Sequence, residues 1–270
     1  MKLPFSSFQI IAIATLKLLL LSAFLFGFFS SKILSDEGNI EALPATSIVF
    51  DKSSKIPDFS VYTDTDQKKA DFFAFLLPKA LASNEAIKAE REKLISIEPD
   101  QELSTAELDV LNTLAEKYKV ELESPEAIHQ ELLMRVDIIP PSLVLAQAAN
   151  ESAWGTSRFA KKGNNLFGQW CYVKGCGIIP KKRGNKERHE VAKFKNIQKS
   201  VQSYMLNLNT QYSYEDLREI RATIRKKGRT VGGKKIANGL LKYSTRREAY
   251  VHEIQAMIKQ NSLSEYDTIK

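Results

Sequence analysis

Between Pro140 and Gly155 the chain reads PPSLVLAQAANESAWG, and Leu143, Val144, Leu145, Ala146, Ala148 and Ala149 cover every side of the helix that this stretch forms. A helix that is apolar all round has no face to offer water, so it must run through a core with other elements packed about it. Pro141 at the first helical position and Gly155 beyond the end bracket the segment. The chain therefore has to fold around it. The one acid it carries, Glu151, falls in its last turn among apolar neighbours.

That placement bears on ionisation. Apolar surroundings disfavour the charged carboxylate, and the negative end of the helix dipole opposes it as well. A carboxyl that keeps its proton near neutral pH is what a general acid needs to protonate a leaving oxygen. Hydrolysis of a sugar bond is the reaction that most often uses such an acid. The alternative is a Glu paired with Arg158 or Lys161 at the helix end. Trp154, one turn further on, serves either as an apolar wall for the acid or as core.

The rest of the chain reads as mainly helical. From Lys68, KKADFFAFLLPKALASNEAIKAEREKL has helical spacing, with Phe72, Phe73, Leu76 and Leu77 on one side and Pro78 kinking or ending the first piece. Ser104–Glu107 is a capping box that opens a helix through Leu111, Leu114 and Tyr118. Ser124-Pro125 starts another, with Ser as N-cap and Pro behind it. Between about 169 and 195 the period changes, and GIIPKK and HEVAKF read as two short strands joined by a turn. Helices resume over 201–208, 214–226, 236–243 and 247–260. The expected class is α+β, mainly α-helical, with one small β-hairpin lobe. The expected organisation is a hydrophobic segment over 1–31, a linker over 32–66, a helical extension over 67–135 and a catalytic domain over 136–265.

A net charge of +7 favours anionic partners. Phe8–Phe29 is nearly all apolar and long enough to span a bilayer; counted only from Leu18 it resembles a signal peptide. No small-x-small cleavage site precedes Lys32, which favours an uncleaved anchor. Either reading exports the remainder to the cell envelope, anchored in the inner membrane or free in the periplasm or outside, and argues against nucleic acid as the partner. Cys171 and Cys176 are the only cysteines. No His/Cys cluster surrounds them, which speaks against zinc, and in an exported chain a loop-closing disulfide is the natural expectation; two buried thiols are the other possibility. His129, His189 and His252 lack metal-ligand spacing, so neither metal nor cofactor is expected. The Lys and Arg residues between Lys161 and Lys195 form a solvated face or attract the acidic groups of a cell-wall polymer.

The stretch PSLVLAQAANESAWGTSRFAKKGNNLFG resembles the catalytic-helix motif of the peptidoglycan β-N-acetylglucosaminidases, the group of flagellar wall hydrolases and staphylococcal autolysins. ADFFAFLLPKALASNEAI, HEVAKF, SVQSYMLNLNT and GLLKYSTRREAYVHEIQAMI are similar to its Bax-like branch, so the resemblance spans roughly residues 65–262. It implies a lysozyme-like glucosaminidase fold in which a helical lobe and a small hairpin lobe flank a glycan cleft, with Glu151 as general acid. It also implies that Asn164, Asn165 and Phe167 line the cleft, although Asn-Asn is equally a good turn. Tyr204 and Tyr243 match family tyrosines near the reaction centre; the alternative is core aromatics with satisfied hydroxyls. The family's second carboxylate comes from the hairpin. The nearest acids here are Glu187 and Glu190, and Glu190 is preferred because it begins a strand; an exposed hairpin charge is the other reading. The implied activity is endo-β-N-acetylglucosaminidase cleavage of the β-1,4 bond in peptidoglycan. Alternatives are a lytic transglycosylase or muramidase using a single Glu, an amidase, or a non-catalytic peptidoglycan-binding protein.

Overall fold

The structure is a computed structural model that describes residues 56–181 and 188–268. The N-terminal apolar segment and Glu187 lie outside the described residues, among which no helix is long and apolar enough to cross a membrane.

The first helix among the described residues, α1 (Thr65–Ile95), starts three residues before the helical spacing suggests, because Asp64 caps it by accepting hydrogen bonds from the amides of Asp66 and Gln67 at 2.8 and 3.2 Å. Pro78 lies inside it without ending it. The proline removes one ladder bond, but Phe72, Phe73 and Leu76 before it and Ala80 and Ile87 after it are buried in the same core, and packing decides helix continuity more than propensity does. Within residues 56–64, expected at the end of a linker, Ile56, Phe59 and Tyr62 pack on the core. Phe59 is 1% exposed and meets Phe72 edge-on at 5.3 Å, while Asp58 pairs with Lys161 at 2.7 Å.

The capping signals hold. In α2 (Thr105–Tyr118) the Ser104–Glu107 box is closed in both directions, and in α3 (Pro125–Arg135) the Ser124 hydroxyl accepts from the Ala127 amide. The apolar helix is α4 (Pro141–Ser152), and Leu143 through Ala149 are completely buried. Around it come α5 (Arg158–Gly163), α6 (Ile197–Thr210), α7 (Glu215–Lys226), α8 (Gly233–Ile236), α9 (Glu248–Gln260) and a closing 3₁₀ turn over Leu263–Thr268.

Long-range polar connections hold the entry to α4, among them Asn84, which bonds both backbone groups of Ile139. Asp137, just upstream, is buried against Arg225 (2.7 Å) and the fully buried Arg221, whose guanidinium also donates to the carbonyls of Asp137 and Ile138. At the helix start, Pro140 and Pro141 leave no side-chain cap of their own. Asp267, from the closing turn, supplies one: its carboxylate accepts from the Ser142 amide (2.9 Å), the Ser142 hydroxyl (2.7 Å) and the Gly233 amide (2.9 Å).

The hairpin lobe has three strands rather than two: β1 (Trp170–Cys171), β2 (Gly177–Ile178) and β3 (Glu190–Ala192), all antiparallel in the order β1-β3-β2. Trp170 pairs with Val191 and Cys171 with Glu190 on one side, Gly177 with Ala192 and Ile178 with Val191 on the other. Cys171 and Cys176 are disulfide-bonded, with their Cα atoms 6.2 Å apart. Gly177 is required where it stands, since a Cβ would fall 2.1 Å from the Val191 carbonyl oxygen.

Candidate active site

Gln147 and Glu151 are four residues apart on α4 and share one face of it. Gln147 is completely buried, and a buried amide must find partners. It finds two tyrosines: its Oε1 accepts from the Tyr204 hydroxyl of α6, and its Nε2 donates to the Tyr250 hydroxyl of α9 at 2.8 Å. Tyr250 in turn donates to Glu151 Oε1 at 2.8 Å. The result is a directed chain, Tyr204 to Gln147 to Tyr250 to Glu151, in which every donor points towards the carboxyl. Neither Gln147 nor Tyr250 stands out in the sequence as a site residue. Gln147 offered a signal, being the one amide inside the apolar run; Tyr250 offered none beyond its place in a helical pattern.

Glu151 is half-buried, and burial pushes its carboxyl above the ordinary range. The hydrogen bonds from Tyr250 and from Asn150 (3.5 Å) pull the other way, as does the charge of Arg246, while Glu253 adds to the upward push. Arg246 and Glu253 are themselves an ion pair. The tyrosines around the acid stay neutral. Burial raises Tyr204, Tyr243 and Tyr250 well above their usual value and takes Tyr214 to about 12, and the nearby Glu151 charge acts in the same direction on all four.

The remaining predicted residues divide into those at the acid and those that brace the lobe. Tyr243 stacks on Tyr250 at 5.2 Å and donates to the Phe167 carbonyl at 3.1 Å; Phe167 stacks on Tyr204 at 3.9 Å. The rings of Tyr243 and Phe167 thus wall the hydrogen-bonded chain. Asn165, 1% exposed, uses its whole side chain on backbone: it donates to the carbonyls of Gln169 and Ala192 and accepts from the amides of Phe167 and Gln169. Asn164 adopts a left-handed conformation (φ 50°) at the end of α5 and donates to the Phe194 carbonyl. The pair holds the turn against the strand leading out of β3. Trp154 meets Phe72 and Phe73 of α1 edge-on at 5.7 and 5.3 Å. Ala153, Trp154 and Gly155 have φ of 50°, 58° and 76°, and three left-handed residues in a row turn the chain sharply away from α4.

Glu190 is 5% exposed, and its two oxygens accept from the amides of Gly175 (3.0 Å) and Gly177 (2.8 Å). The carboxylate thus fastens the disulfide loop to the central strand. Cys171, Cys176 and Glu190 lie within 4.8 Å of one another, but the sulfurs are bonded together and offer no thiolates to a metal. His129 bonds the Leu94 carbonyl, and His189 stacks on Trp170.

A sequence model of the family described as Glucosaminidase, mannosyl-glycoprotein endo-beta-N-acetylglucosaminidase, matches residues 127–263. The chain belongs to the glucosaminidase family. It is accordingly a glycoside hydrolase, and the match contains α4 and the whole hydrogen-bonded chain to Glu151. Among curated relatives in this family, Protein bax of Escherichia coli is 36% identical over 212 residues, which is 78% of this chain and 76% of the relative. Exo-glucosaminidase LytG of Bacillus subtilis is 30% identical over 149 residues, about half of each chain (52% and 51%). Among solved structures, the catalytic domain of the autolysin Auto from Listeria monocytogenes aligns with a TM-score of 0.42 at 18% identity, over 77% of this chain and 92% of that one.

Proposed function

We propose that this glucosaminidase cleaves the β-1,4 glycosidic bond of peptidoglycan with Glu151 as general acid. The observation that carries the reading is a half-buried carboxyl raised by burial at the end of a chain of neutral donors. Such a group holds a proton for the leaving oxygen, and the carboxylate left after transfer is received by the Tyr250 hydroxyl. Tyr243 and Phe167 fix Tyr250 and Tyr204 in place by stacking, so their part is to position the acid. Glu190 holds the hairpin lobe in shape rather than activating water. Acting alone, Glu151 would serve either a hydrolase or a lytic transglycosylase. Family membership, and the glucosaminidase activity named for LytG, favour hydrolysis.

The Phe8–Phe29 segment and the disulfide support a place in the cell envelope, since disulfides persist in oxidising compartments. Peptidoglycan zymography of wild type and Glu151→Gln, with mass spectrometry of the products, tests the reading. Wild type should clear the gel and release reducing N-acetylglucosamine ends, and the variant should fold but leave the gel opaque. Clearing by Glu151→Gln would end the general-acid assignment, and anhydromuramic ends would make the enzyme a transglycosylase.

A further inference from the structure

Tyr204 turns its hydroxyl to the Glu151 chain, but its neighbour Ser203 begins a different surface. Ser203, Asn207 and Gln211 recur every fourth residue and form a polar stripe along α6 and its C-cap. The stripe lines a recess of about 210 Å³ whose other walls include Gln169, Trp170 of the edge strand β1, and Lys119 from the turn after α2. At about 30 Å³ per water in the liquid, this is room for roughly seven waters, far more than a single bridging one.

Two features of the recess ask for a ligand. Gln169 donates from Nε2 to the Ser203 hydroxyl at 2.9 Å, but its Oε1 is buried with no hydrogen-bond partner. An orphaned buried acceptor of this kind destabilises the fold until a donor arrives. Trp170 is 58% exposed, yet its indole is held flat on His189, with ring centroids 4.1 Å apart and planes within 15°. A supported aromatic face beside several amides and a hydroxyl matches a pyranose ring, which offers an apolar C–H face and a rim of O–H and N–H donors.

We propose that this recess is a saccharide-binding site, separate from the Glu151 carboxyl, that takes one N-acetylhexosamine ring of a glycan strand. The indole of Trp170 lies under the ring, and the half-buried Gln169 side chain swings its covered Oε1 outward to accept from the acetamido N–H or a ring hydroxyl. Asn207 and Gln211 meet further hydroxyls. The choice of an N-acetylated sugar rests on the reading of this chain as a peptidoglycan hydrolase. α6 then joins two tasks, with Tyr204 on the acid and Ser203 on the recess. The N-terminal extension gains one as well, since Lys119 completes the wall.

Trp154 and Trp170 are the only tryptophans, which gives a direct readout. In a Glu151→Gln background, N-acetylglucosamine oligomers are titrated while tryptophan emission is followed, and affinity is measured by calorimetry. The emission change should persist in Trp154→Phe and vanish in Trp170→Phe, and Trp170→Ala and Asn207→Ala should each weaken binding by about tenfold or more. With Glu151 restored, Trp170→Ala should keep turnover of the shortest cleavable oligomer within about twofold. Affinity unchanged in both alanine variants would overturn the site, and equal binding of cellulose oligomers would overturn its N-acetyl preference. Binding at Trp170 without cleavage by wild type would refute the hydrolase reading and leave the site standing; cleavage without any loss of binding in the variants would do the reverse.

Discussion

The helix that carries Glu151 begins on two prolines and takes its cap from the other end of the chain, and this makes Asp267→Ala the most informative stability test. Leu143 and Val144 bond back to the Pro140 carbonyl, so the Ser142 amide is the first-turn donor left over, and Ser142 is completely buried. Asp267 takes that amide, the Ser142 hydroxyl and the Gly233 amide. Losing a capping acceptor costs about 1 kcal/mol within a range of 0.5–2. Each of the other two donors adds about 0.5–1.5 kcal/mol net when its bond is lost. The sum is about 2–4 kcal/mol, because no side chain on α4 can replace the cap and α8 is pressed too closely on the helix to re-form around it. A Cβ on Gly233 would lie 2.2 Å from the Ser142 hydroxyl, which measures that closeness. At about 2–4 °C per kcal/mol for a domain of this size, the melting temperature should fall by roughly 5–15 °C. Urea denaturation followed by far-ultraviolet circular dichroism should show a lower midpoint at an unchanged slope. A loss below about 0.5 kcal/mol would mean that water or the helix itself satisfies Ser142, and that Asp267 is no cap.

Two further changes test the site. Because burial raises the Glu151 carboxyl, the folded protein keeps a proton that the unfolded chain has already lost, so wild-type stability should fall as pH rises from about 4 through the raised folded value. Glu151→Gln has no such titration and should match wild type near pH 4 and exceed it at pH 8, by about 1.4 kcal/mol for every tenfold change in the ionisation constant; parallel pH–stability curves would contradict the burial argument. For Glu190→Gln, one amide oxygen replaces two acceptors and an NH2 faces a backbone N–H, so stability should drop by about 1–3 kcal/mol. Turnover should fall without a shift in either limb of the pH–rate profile, and a displaced limb would make Glu190 an ionising participant in the reaction.

What could be read from the chain and what could not divide along the range of the interactions. The Ser104 and Ser124 caps are local, because the residues that cap and those that are capped are neighbours, and both were legible. The burial of α4 was legible too, since an all-apolar helix has only one environment open to it. The strand carrying Glu190 could be read, but not what its carboxylate meets, which depends on the disulfide loop folding back to present two amides. β1 is two residues long and pairs across a long connection, so it left no alternation to see. Trp154 has the spacing to cover Glu151, yet the left-handed run from Ala153 to Gly155 swings it onto Phe72 and Phe73. Gln147 was visible as an anomaly in an apolar run, while its partner Tyr250 lies 103 residues away and nothing local links them.

The composition of the Glu151 chain suits the general-acid role proposed for it. A general acid must hold a proton before the reaction and tolerate its loss afterwards, so its surroundings can favour neither state by too much. A cation bonded to Glu151 would stabilise the carboxylate strongly and hold the group ionised. Bare burial would hold it protonated. Tyr250, Gln147 and Tyr204 lie between these extremes: each is neutral, each donates in the direction of Glu151, and the dipoles add along the line. Arg246, the cation whose charge reaches Glu151 among the described residues, is exposed and paired with Glu253, whose charge acts on Glu151 in the opposite sense. What remains to set the balance is the burial of α4 itself. The Asp267 cap and the Asp137–Arg221–Arg225 cluster fix that burial from the entry end of the helix, two turns or more away from the acid they keep in place.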